Sequence, residues 1–490
     1  MAMPAEQAAT AALLQGLAGG PPVETHISAV FVGADTVWKL RRAVRLAFVD
    51  FTTLGERERT ARRELELNTP NAPGLYRDVV AVTRGADGGV ALGGAGEVVD
   101  WVVRMARVPA GDFLDVVAAG GGLTGALLDR MGDAVAVLHA GNPVVVRDQA
   151  AALRDVIEGN AVAAQQAGID SAEVAAWRDG MVGAIDLHAD ALRARGAAGF
   201  VRRCHGDLHL GNMCLWRGEP VAFDALEFDE ALATVDVGYD LAFLLMDLEV
   251  RVDRAAANRV MNRYLARTGD FALVAFLPAF LSMRALVRAH VEAARGRAAD
   301  MRRYLDRALA YLRPVAPCVV AIGGLPGAGK STVARALAPG LGAAPGAVVL
   351  RSDEMRKRRF GVAPEQRLPQ PAYAPRVSAA VFAEIATATA AIAAAGHAVV
   401  ADATFMDTAH RAAVAEAAGA VPFVGVWLEV PMAELERRVA ARTGDASDAD
   451  IAVLRRAAAA GAGAGEWLVV DGSDAGRAVA TISATLAIRP

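Results

Sequence analysis

Two cysteines and two histidines fall within the twelve residues RCHGDLHLGNMC, from Arg203 to Cys214, and raise the question of a metal site. A zinc site would draw on Cys204, His205, His209 and Cys214. That set has no C-x2-C pair, and it takes all four ligands from one short segment. The spacing therefore argues against zinc and directs attention to the other polar residues of the stretch.

Asp207 and Asn212, in the same stretch, have the spacing D-x4-N. In the catalytic loop of protein kinases this spacing places an aspartate that accepts the acceptor-hydroxyl proton and an asparagine that holds magnesium. That chemistry requires another magnesium carboxylate after a short strand pair, where Asp224 stands. It also requires a strand lysine paired with a helical glutamate, which Lys39 and Glu64 supply. The presence of these residues in this order along the chain predicts phosphoryl transfer.

Plainer alternatives exist for three of these residues. Lys39 would also suit an exposed edge strand, and Glu64 a solvated helix face, with Glu66 nearby leaving the register open. We expect His205 to brace the loop by hydrogen bonds and not to carry protons.

A second signature, GGLPGAGKST, matches G-x-x-x-x-G-K-[ST] and lies between an apolar strand and a helix. In such a loop, backbone N–H groups wrap phosphates, the lysine adds a point charge and the following hydroxyl binds magnesium. The alternative is an ordinary glycine-rich turn. The residues expected to bind the nucleotide here are Gly324, Gly327, Ala328, Gly329, Lys330, Ser331 and Thr332, with Ser331 also a magnesium ligand.

Acidic and basic residues downstream indicate the reaction. Asp402 ends an apolar strand and suits magnesium, and Asp353 follows another strand, where it could accept a hydroxyl proton or simply cap a helix. Arg438 and Arg442 are four residues apart, which predicts that they lie on one helix face. There they would close over a transferring phosphate as a lid, unless they are solvated surface arginines. The basic run from Arg356 to Arg359 could meet an anionic acceptor, although such runs are usually solvated helix faces.

Local patterns divide the chain in two near residue 315. Before it, strand-like segments (ISAVFVG, TVWKLRR, VDWVVRMARVP) flank the helical LGERERTARRELELN, and helices, a short strand pair and more helices follow. After it, strands and helices alternate, which predicts a parallel sheet. We therefore expect a two-domain α+β and α/β protein with domains 1–314 and 315–490, the first split into an N-lobe (about 20–105) and a helical C-lobe (about 108–312).

Composition excludes several classes of protein. The 490 residues are 54% hydrophobic with a net charge of -4, which favours globular domains and lowers the expectation of nucleic-acid binding. Three cysteines cannot form a disulfide framework, which suits a reducing cytoplasm. The apolar run from Phe271 to Met283 is too short to span a bilayer, so no membrane association is expected.

The stretch HGDLHLGN, with Asp224 and the later DVGYDL, resembles the catalytic loop of aminoglycoside phosphotransferase-type kinases, a group that includes choline kinases. The resemblance covers roughly residues 20–310 and implies a protein-kinase-like bilobal fold. One departure is that the loop THISAVFVGAD, before the lysine strand, has a single glycine where protein kinases have G-x-G-x-x-G. Resistance to antibiotics is not implied.

The second half resembles the small P-loop kinases of the AAA_33 type over roughly residues 317–472. The matching segments are GLPGAGKST, RSDEMR, DATF and ERRVAARTGDASDAD. The resemblance implies that Lys330, Asp353, Asp402 and the lid arginines have the roles argued above. The whole arrangement resembles a bacterial fusion family of two kinase domains.

Together these patterns predict a cytoplasmic, bifunctional ATP- and magnesium-dependent phosphotransferase acting on hydroxyls of small molecules such as sugars or amino sugars. Two alternatives stay open. One half could be a nucleotide-binding regulatory module, or the P-loop half could phosphorylate 5′-hydroxyls of nucleotides or polynucleotides.

Overall fold

The computed structural model describes residues 3–46, 49–442, 444–461 and 463–488, without the side chains of 487 and 488. It contains two compact units, each built from two chain segments. The first comprises Met1–Arg147 and Arg195–Leu241, and the second comprises Asp148–Ala194 and Ala242–Pro490. The expected domain boundary near residue 315 stays a prediction about independent folding.

The strands, numbered along the chain, are β1 Val23–Glu24, β2 Ser28–Val32, β3 Thr36–Arg41, β4 Arg45–Leu46, β5 Val49–Asp50, β6 Tyr76–Arg84, β7 Val90–Leu92, β8 Glu97–Ala106, β9 Val201–Arg203, β10 Met213–Trp216, β11 Glu219–Ala222, β12 Thr234–Asp236, β13 Val319–Gly324, β14 Val348–Arg351, β15 Val399–Asp402, β16 Phe423–Glu429 and β17 Leu468–Asp471. The α-helices are α1 Ala8–Ala18, α2 Leu54–Asn68, α3 Leu114–Ala119, α4 Gly125–Gly141, α5 Gln149–Gln166, α6 Ser171–Leu187, α7 Ala189–Ala197, α8 Glu230–Ala233, α9 Val237–Arg251, α10 Arg254–Thr268, α11 Leu277–Ala294, α12 Ala298–Tyr311, α13 Lys330–Leu337, α14 Ser352–Arg359, α15 Pro375–Ala394, α16 Thr408–Ala417, α17 Met432–Ala440, α18 Ile451–Ala459 and α19 Ala475–Ile488.

The first unit is built on an antiparallel sheet with strand order β1-β2-β3-β8-β6-β7. Side chains alternate between the two faces of β3, so Leu40 joins one apolar cluster while Lys39 faces the other side. Helix α2 packs on that other side against β6 and β8, with Ala61 beside Val103 in a second cluster. The Thr53 side chain accepts from the backbone N–H of Glu56 and fixes the start of α2.

The expected strand pair is the hairpin of β10 and β11. Its turn consists of Arg217 and Gly218, both with positive φ (54° and 85°), while Glu219 already pairs with Trp216. Two central residues with positive φ are typical of the tightest hairpin turns. This hairpin places the following residues, including Asp224, at its open end.

The second unit contains a parallel sheet with strand order β14-β15-β13-β16-β17, as the alternating pattern predicts. Helix α13 packs against α19, and α15 packs against α16. The preceding helices of this unit form a layer in which α11 packs against α12 and α5, and Trp177 Nε1 donates to Ser282 Oγ at 3.0 Å. The apolar run from Phe271 divides into a short 3-10 turn and α11, since Pro278 occupies the first turn of that helix.

Among the described residues, α15 is long and apolar enough to pass a length-and-composition test for a membrane span, a test that core helices also pass. Its buried residues include Val381, Ile385 and Ile392. The helix packs against β14, β15, α14 and α16, so its apolar length covers the parallel sheet.

Candidate active sites

Lys39 is the centre of an ion-pair cluster in the first unit. Its Nζ atom lies 2.7 Å from Oε1 of Glu64 and also contacts the carboxylate of Asp224. Burial by itself would lower the pKa of Lys39, but Asp224 and Glu64 outweigh it and raise that pKa, so the amine is charged. Lys39 and Glu64 are both buried, which departs from the exposed-edge and solvated-face alternatives. Strand β3, helix α2 and the segment after β11 thus bring three of the predicted site residues together.

Arg41 and Glu227 belong to the same cluster and were missed by sequence reasoning. Arg41 Nη2 lies 2.8 Å from Oε2 of Glu64 and also contacts Glu227, while Nη1 donates to Ser28 Oγ at 2.8 Å. Glu64 therefore binds Lys39 through one oxygen and Arg41 through the other. Burial raises the pKa of Glu227 to about 7, against the lowering influence of Arg41. The available signal was the i, i+2 spacing of Lys39 and Arg41, which places both on one face of a strand.

Asp207 and Asn212 are joined directly. The Asn212 Nδ2 atom donates to the carboxylate Oδ2 and to the backbone oxygen of Asp207, each at 2.9 Å. His209 Nε2 lies 3.5 Å from the same Oδ2, and its Nδ1 accepts from the backbone N–H of Gly211. The Asp207 carboxylate is therefore oriented by its neighbours within one short loop.

Asp240, at the start of α9, holds the backbone before Asp207. Its two oxygens accept from the N–H groups of His205 and Gly206, at 3.1 and 2.8 Å. Gly206 has φ of 85°, a conformation that favours glycine. His205 Nε2 lies 2.9 Å from the backbone oxygen of Phe223, and burial lowers the His205 pKa, so the ring is neutral. His205 braces the loop, as expected.

Asp224 follows β11 in a left-handed conformation, with φ of 61°. Its backbone N–H donates to the hydroxyl of Tyr76 at 3.0 Å. Burial would raise the pKa of Asp224, but Lys39 and Arg41 lower it overall, which keeps the group ionised. The Phe223 N–H donates to the backbone oxygen of Asn212, which ties this segment to the loop that carries Asp207. The ionised carboxylate of Asp224 and the side-chain amide oxygen of Asn212 are both of the ligand types that magnesium accepts.

Cys204 is grouped with His139 and Asp240, and not with the residues of the zinc alternative, in the part of the chain that the structure describes. These three side chains are buried, with potential ligand atoms within 4.8 Å of one another. His139 Nε2 lies 3.2 Å from Asp240 Oδ2, and the Cys204 thiol donates to the backbone oxygen of Val235. Asp240 also accepts from the N–H groups of His205 and Gly206, so this cluster stabilises the loop that carries Asp207.

The second site lies where β13 turns into α13. Gly327 has φ of 87°, and a Cβ there would lie 2.9 Å from the backbone oxygen of Leu435. Lys330 Nζ donates to the backbone oxygens of Gly324 and Leu325, each at 3.0 Å. Burial lowers the pKa of Lys330. The Lys330 amine is thus held against the glycine-rich loop. A lysine amine beside the backbone N–H groups of such a loop fits the binding of nucleotide phosphates.

Ser331 and Asp402 meet at this loop. The Ser331 hydroxyl donates to Oδ2 of Asp402 at 2.6 Å, and Arg351 Nε donates to the same oxygen at 3.2 Å. Asp402 ends β15 and is 4% exposed. The hydroxyl and the carboxylate are hard oxygen ligands of the kind that magnesium takes.

Asp353 lies in the first turn of α14 and is not its N-cap, since Arg351 occupies that position. Burial raises the pKa of Asp353, although Arg351 opposes the shift. Asp353 lines a cavity of about 1160 Å³ together with Lys330 and Asp402. A carboxylate with a raised pKa, facing a cavity, suits a proton acceptor.

The prediction that the two lid arginines share one helix is wrong. Helix α17 ends at Ala440, so Arg442 lies beyond it, because the chain turns there toward the loop around Asp445. Arg438 stays on the helix, pairs with Glu434 at 2.6 Å and donates to the backbone oxygen of Gly472 at 3.0 Å. Both arginines nevertheless line the same cavity.

The expectation of a solvated basic run is wrong for Arg356 and Lys357. Arg356 donates to the backbone oxygen of Ala372 at 2.7 Å, and Lys357 Nζ lies 2.6 Å from Asp448. Lys357 is fully buried, whereas Arg359 is exposed. The reason is that α14 is enclosed by the segment before α15 and by the loop after α17, which supply acidic and carbonyl partners.

Known protein families match both halves of the chain. Residues 40–277 match the phosphotransferase enzyme family, and residues 319–461 match a family described as AAA domain. The first range contains the Lys39 cluster except for Lys39 itself, together with the Asp207 loop. The second range contains the P-loop, Asp353 and Asp402.

Whole-length relatives share both halves. The chain is 30% identical over 464 residues to an uncharacterized protein of Mycobacterium tuberculosis, Rv2004c, and to one of Mycobacterium bovis, Mb2027c, covering 91% of this chain and 90% of each relative.

Solved structures are similar to parts of the chain. The aminoglycoside phosphotransferase APH(4)-Ia, as a thermostable mutant, is 15% identical, with 62% of this chain and 98% of that chain covered and a TM-score of 0.40. A choline/ethanolamine kinase family protein from Mesorhizobium loti is 15% identical, with 63% and 97% covered and a TM-score of 0.36. A gluconokinase from Sinorhizobium meliloti is 20% identical, with 36% and 99% covered and a TM-score of 0.23.

The family matches, the kinase-like first unit and the parallel sheet with its P-loop agree with one another. The chain therefore belongs to the phosphotransferase enzyme family through its first part and carries a nucleotide-binding AAA domain of the P-loop type in its second.

Proposed function

We propose that this protein is a bifunctional kinase, with one phosphotransferase site in each half and a small-molecule hydroxyl as the acceptor of each. The observation that carries the proposal is the joining of Lys39 to both Glu64 and Asp224, together with the bond from Asn212 to Asp207. A merely structural ion pair would not need an oriented aspartate in an adjacent loop. The intact P-loop, with its Ser331–Asp402 bond, supports a second site.

The donor sets fit ATP and magnesium. When bound, ATP with magnesium supplies the transferable phosphoryl group and part of the positive charge that offsets it. In the first half, Lys39 would hold nucleotide phosphates, and Asn212 and Asp224 would hold the metal. In the second half, Lys330 and the P-loop N–H groups would hold phosphates, and Ser331 and Asp402 the metal.

In the first site, Asp207 accepts the proton of the acceptor hydroxyl. Asn212 keeps the Asp207 carboxylate in position, and Glu64 keeps Lys39 extended from β3. Asp224 would contribute its carboxylate to the metal, and the bond from Arg41 to the other oxygen of Glu64 holds that glutamate in place. Positioning and electrostatics are the main contributions expected of a kinase.

In the second site, Asp353 accepts the hydroxyl proton, helped by the raised pKa of its carboxyl group. Arg438 and Arg442 face the cavity and supply positive charge near the transferring group. The cavity volume of about 1160 Å³ suits a nucleotide together with a small acceptor such as a sugar or amino sugar. We place both activities in the cytoplasm.

The test is a metabolite-pool screen for an ATP-dependent gain of one phosphate, run with the full chain. The Asp207→Asn variant should lose one set of products, and the Lys330→Ala variant should lose another. If one variant leaves every product intact, that half is a nucleotide-binding regulatory module. If the P-loop half phosphorylates only oligonucleotide 5′ ends and binds oligonucleotides in a salt-sensitive way, its acceptor is a nucleic-acid end and not a small molecule.

A further inference from the structure

Strand β14 is an edge strand of the parallel sheet, bonded to β15 on one side only. The Val348 N–H donates to the backbone oxygen of Ala398 on that side, at 2.9 Å. Because alternate residues of a parallel strand direct their backbone groups to opposite sides, the groups of Ala347 and Val349 point away from the sheet. Such groups need another partner when they are buried.

Helix α10 provides that partner through two asparagines. Asn258 Nδ2 and Asn262 Nδ2 donate to the backbone oxygen of Ala347, at 3.0 and 3.2 Å. The Val349 N–H donates to Asn262 Oδ1 at 2.7 Å. Asn262 thus offers one donor and one acceptor to the strand, as a neighbouring strand would, and Asn258 is only 3% exposed.

The asparagines belong to a longer stripe on the helix. Residues four apart share one helix face, and Arg254, one turn before Asn258, donates to the backbone oxygen of Gly342 at 2.7 Å. Arg263 also binds Glu365 through two contacts, at 2.6 and 3.2 Å. Helix α10 is therefore attached to the P-loop half at several points along its length.

Strand β14 leads directly into the second candidate site. It ends at Arg351, whose side chain is 4% exposed and bonds both Asp402 and Asp445. Two residues later comes Asp353, in the first turn of α14. A displacement of β14 would therefore move the proton acceptor, and misplacement of a reacting group by about 1 Å can reduce turnover about 100-fold.

We propose that Asn258 and Asn262 are positioning residues of the P-loop site, acting as the missing neighbour of β14 and so fixing Asp353 in the cavity. The inference rests on the proposed phosphotransfer by this half. It also means that the P-loop kinase includes α10, a helix that precedes residue 315 and lies within the range of the phosphotransferase match.

The test compares Asn262→Ala and Asn258→Ala with the full-length wild type. Hydrogen exchange of the peptide carrying Val349 and Asp353 should accelerate about tenfold in Asn262→Ala, because the strand amide loses its acceptor. Lys330-dependent turnover of MgATP should show a kcat lower by about tenfold and a KM for ATP within about twofold, since the phosphate loop is untouched.

Asn160→Ala is the matched control, because Asn160 is a half-buried helical asparagine of α5 whose amide nitrogen donates no hydrogen bond in the structure. Asn262→Asp keeps the acceptor for Val349 and should retain most of the exchange protection. Should Asn262→Ala fail to fold, Asn258→Ala and Asn262→Asp decide the matter by the same readouts.

The proposal is overturned if exchange of the β14 peptide changes no more than in Asn160→Ala, or if kcat is unchanged while exchange accelerates. A wild type with no Lys330-dependent turnover would instead refute the proposed activity of the P-loop half. Exchange at Val349 and Asp353 would still decide whether the asparagines hold the strand, so the two failures are distinguishable.

Discussion

The amide nitrogen of Asn212 lies 2.9 Å from the Asp207 carboxylate and 2.9 Å from the backbone oxygen of the same residue. One side chain therefore fixes both the rotamer and the backbone of the proposed proton acceptor. In the proposed mechanism, Asn212 would both orient Asp207 and hold the metal through its amide oxygen.

Replacement of Asn212 by alanine should reduce turnover by the first site about 100-fold and raise the magnesium concentration needed for half-maximal rate. The two effects have different causes, loss of Asp207 orientation and loss of a metal ligand. Steady-state kinetics across a magnesium titration separates them. His209→Gln should leave the magnesium requirement unchanged, and an equal shift in both variants would contradict the role of Asn212.

Glu64→Gln and Lys39→Ala should weaken the same function. We expect a loss of about 100-fold for Lys39→Ala and about tenfold for Glu64→Gln, because the glutamate acts through the lysine. The double variant should be no worse than Lys39→Ala, since residues acting as one unit are not additive. Arg84→Ala, an exposed arginine of β6, is the control; additive losses would contradict the pairing.

Gly327→Ala should impair nucleotide binding by the P-loop. A Cβ at this position would lie 2.9 Å from the Leu435 carbonyl, and φ of 87° is unfavourable for alanine. We expect affinity for MgATP, measured by calorimetry, to fall about tenfold or more. Gly340→Ala is the matched control, because none of the described residues places an atom within 4 Å of a Cβ there. Similar affinities for the two variants would contradict the steric argument.

Lys357→Met should destabilise the protein by about 3 kcal/mol, because it leaves the Asp448 carboxylate without its buried cation. Arg359→Met, two residues later on the exposed face of α14, should change stability by less than about 0.5 kcal/mol. Urea unfolding monitored for both variants measures the difference. Equal midpoints would mean that the Lys357 pair contributes nothing net.

The free energy of unfolding should decrease at acid pH because His397 is buried in its neutral form. Burial lowers the pKa of His397 from 6.5 to about 4, so between these values the unfolded chain takes up a proton that the folded chain does not. The contribution is fully present above about pH 6.5 and lost as the pH falls toward 4, about 3 kcal/mol in all.

The variant that tests this dependence is His397→Gln, which can still donate to the Gly346 oxygen but does not titrate. Its unfolding free energy should vary less steeply between pH 6.5 and 4 than that of the wild type. The exposed His26→Gln should retain the wild-type slope. A wild-type slope in His397→Gln would show that His397 does not cause the acid sensitivity.

Much of this protein could be predicted from local patterns. The P-loop was recognisable because its function requires fixed glycines, a lysine and a serine between a strand and a helix, all adjacent in sequence. Helix α2 and the parallel sheet followed from periodicity and from strand–helix alternation. Asp207 and Asn212 could be paired because they are five residues apart in one loop.

Other relationships depended on contacts between residues far apart in the sequence. Arg41 and Glu227 are 186 residues apart, and nothing local indicates that one carboxylate of α2 would bind both Lys39 and Arg41. The lid arginines were assigned to one helix because they are four residues apart, whereas α17 ends at Ala440, before Arg442. The basic run of α14 looked solvated because charge patterns do not reveal which side of a helix is enclosed.

By itself, then, the sequence determined which residues carry the proposed chemistry, since reacting groups and phosphate-binding loops must have particular types at short spacings. Only the tertiary structure decided what positions them: Arg41 bonded to Glu64, Asp240 bonded to the backbone before Asp207, and Asn262 bonded to β14. The physical reason is that buried polar groups must find partners wherever the folded chain provides them, and distance along the sequence does not restrict that choice.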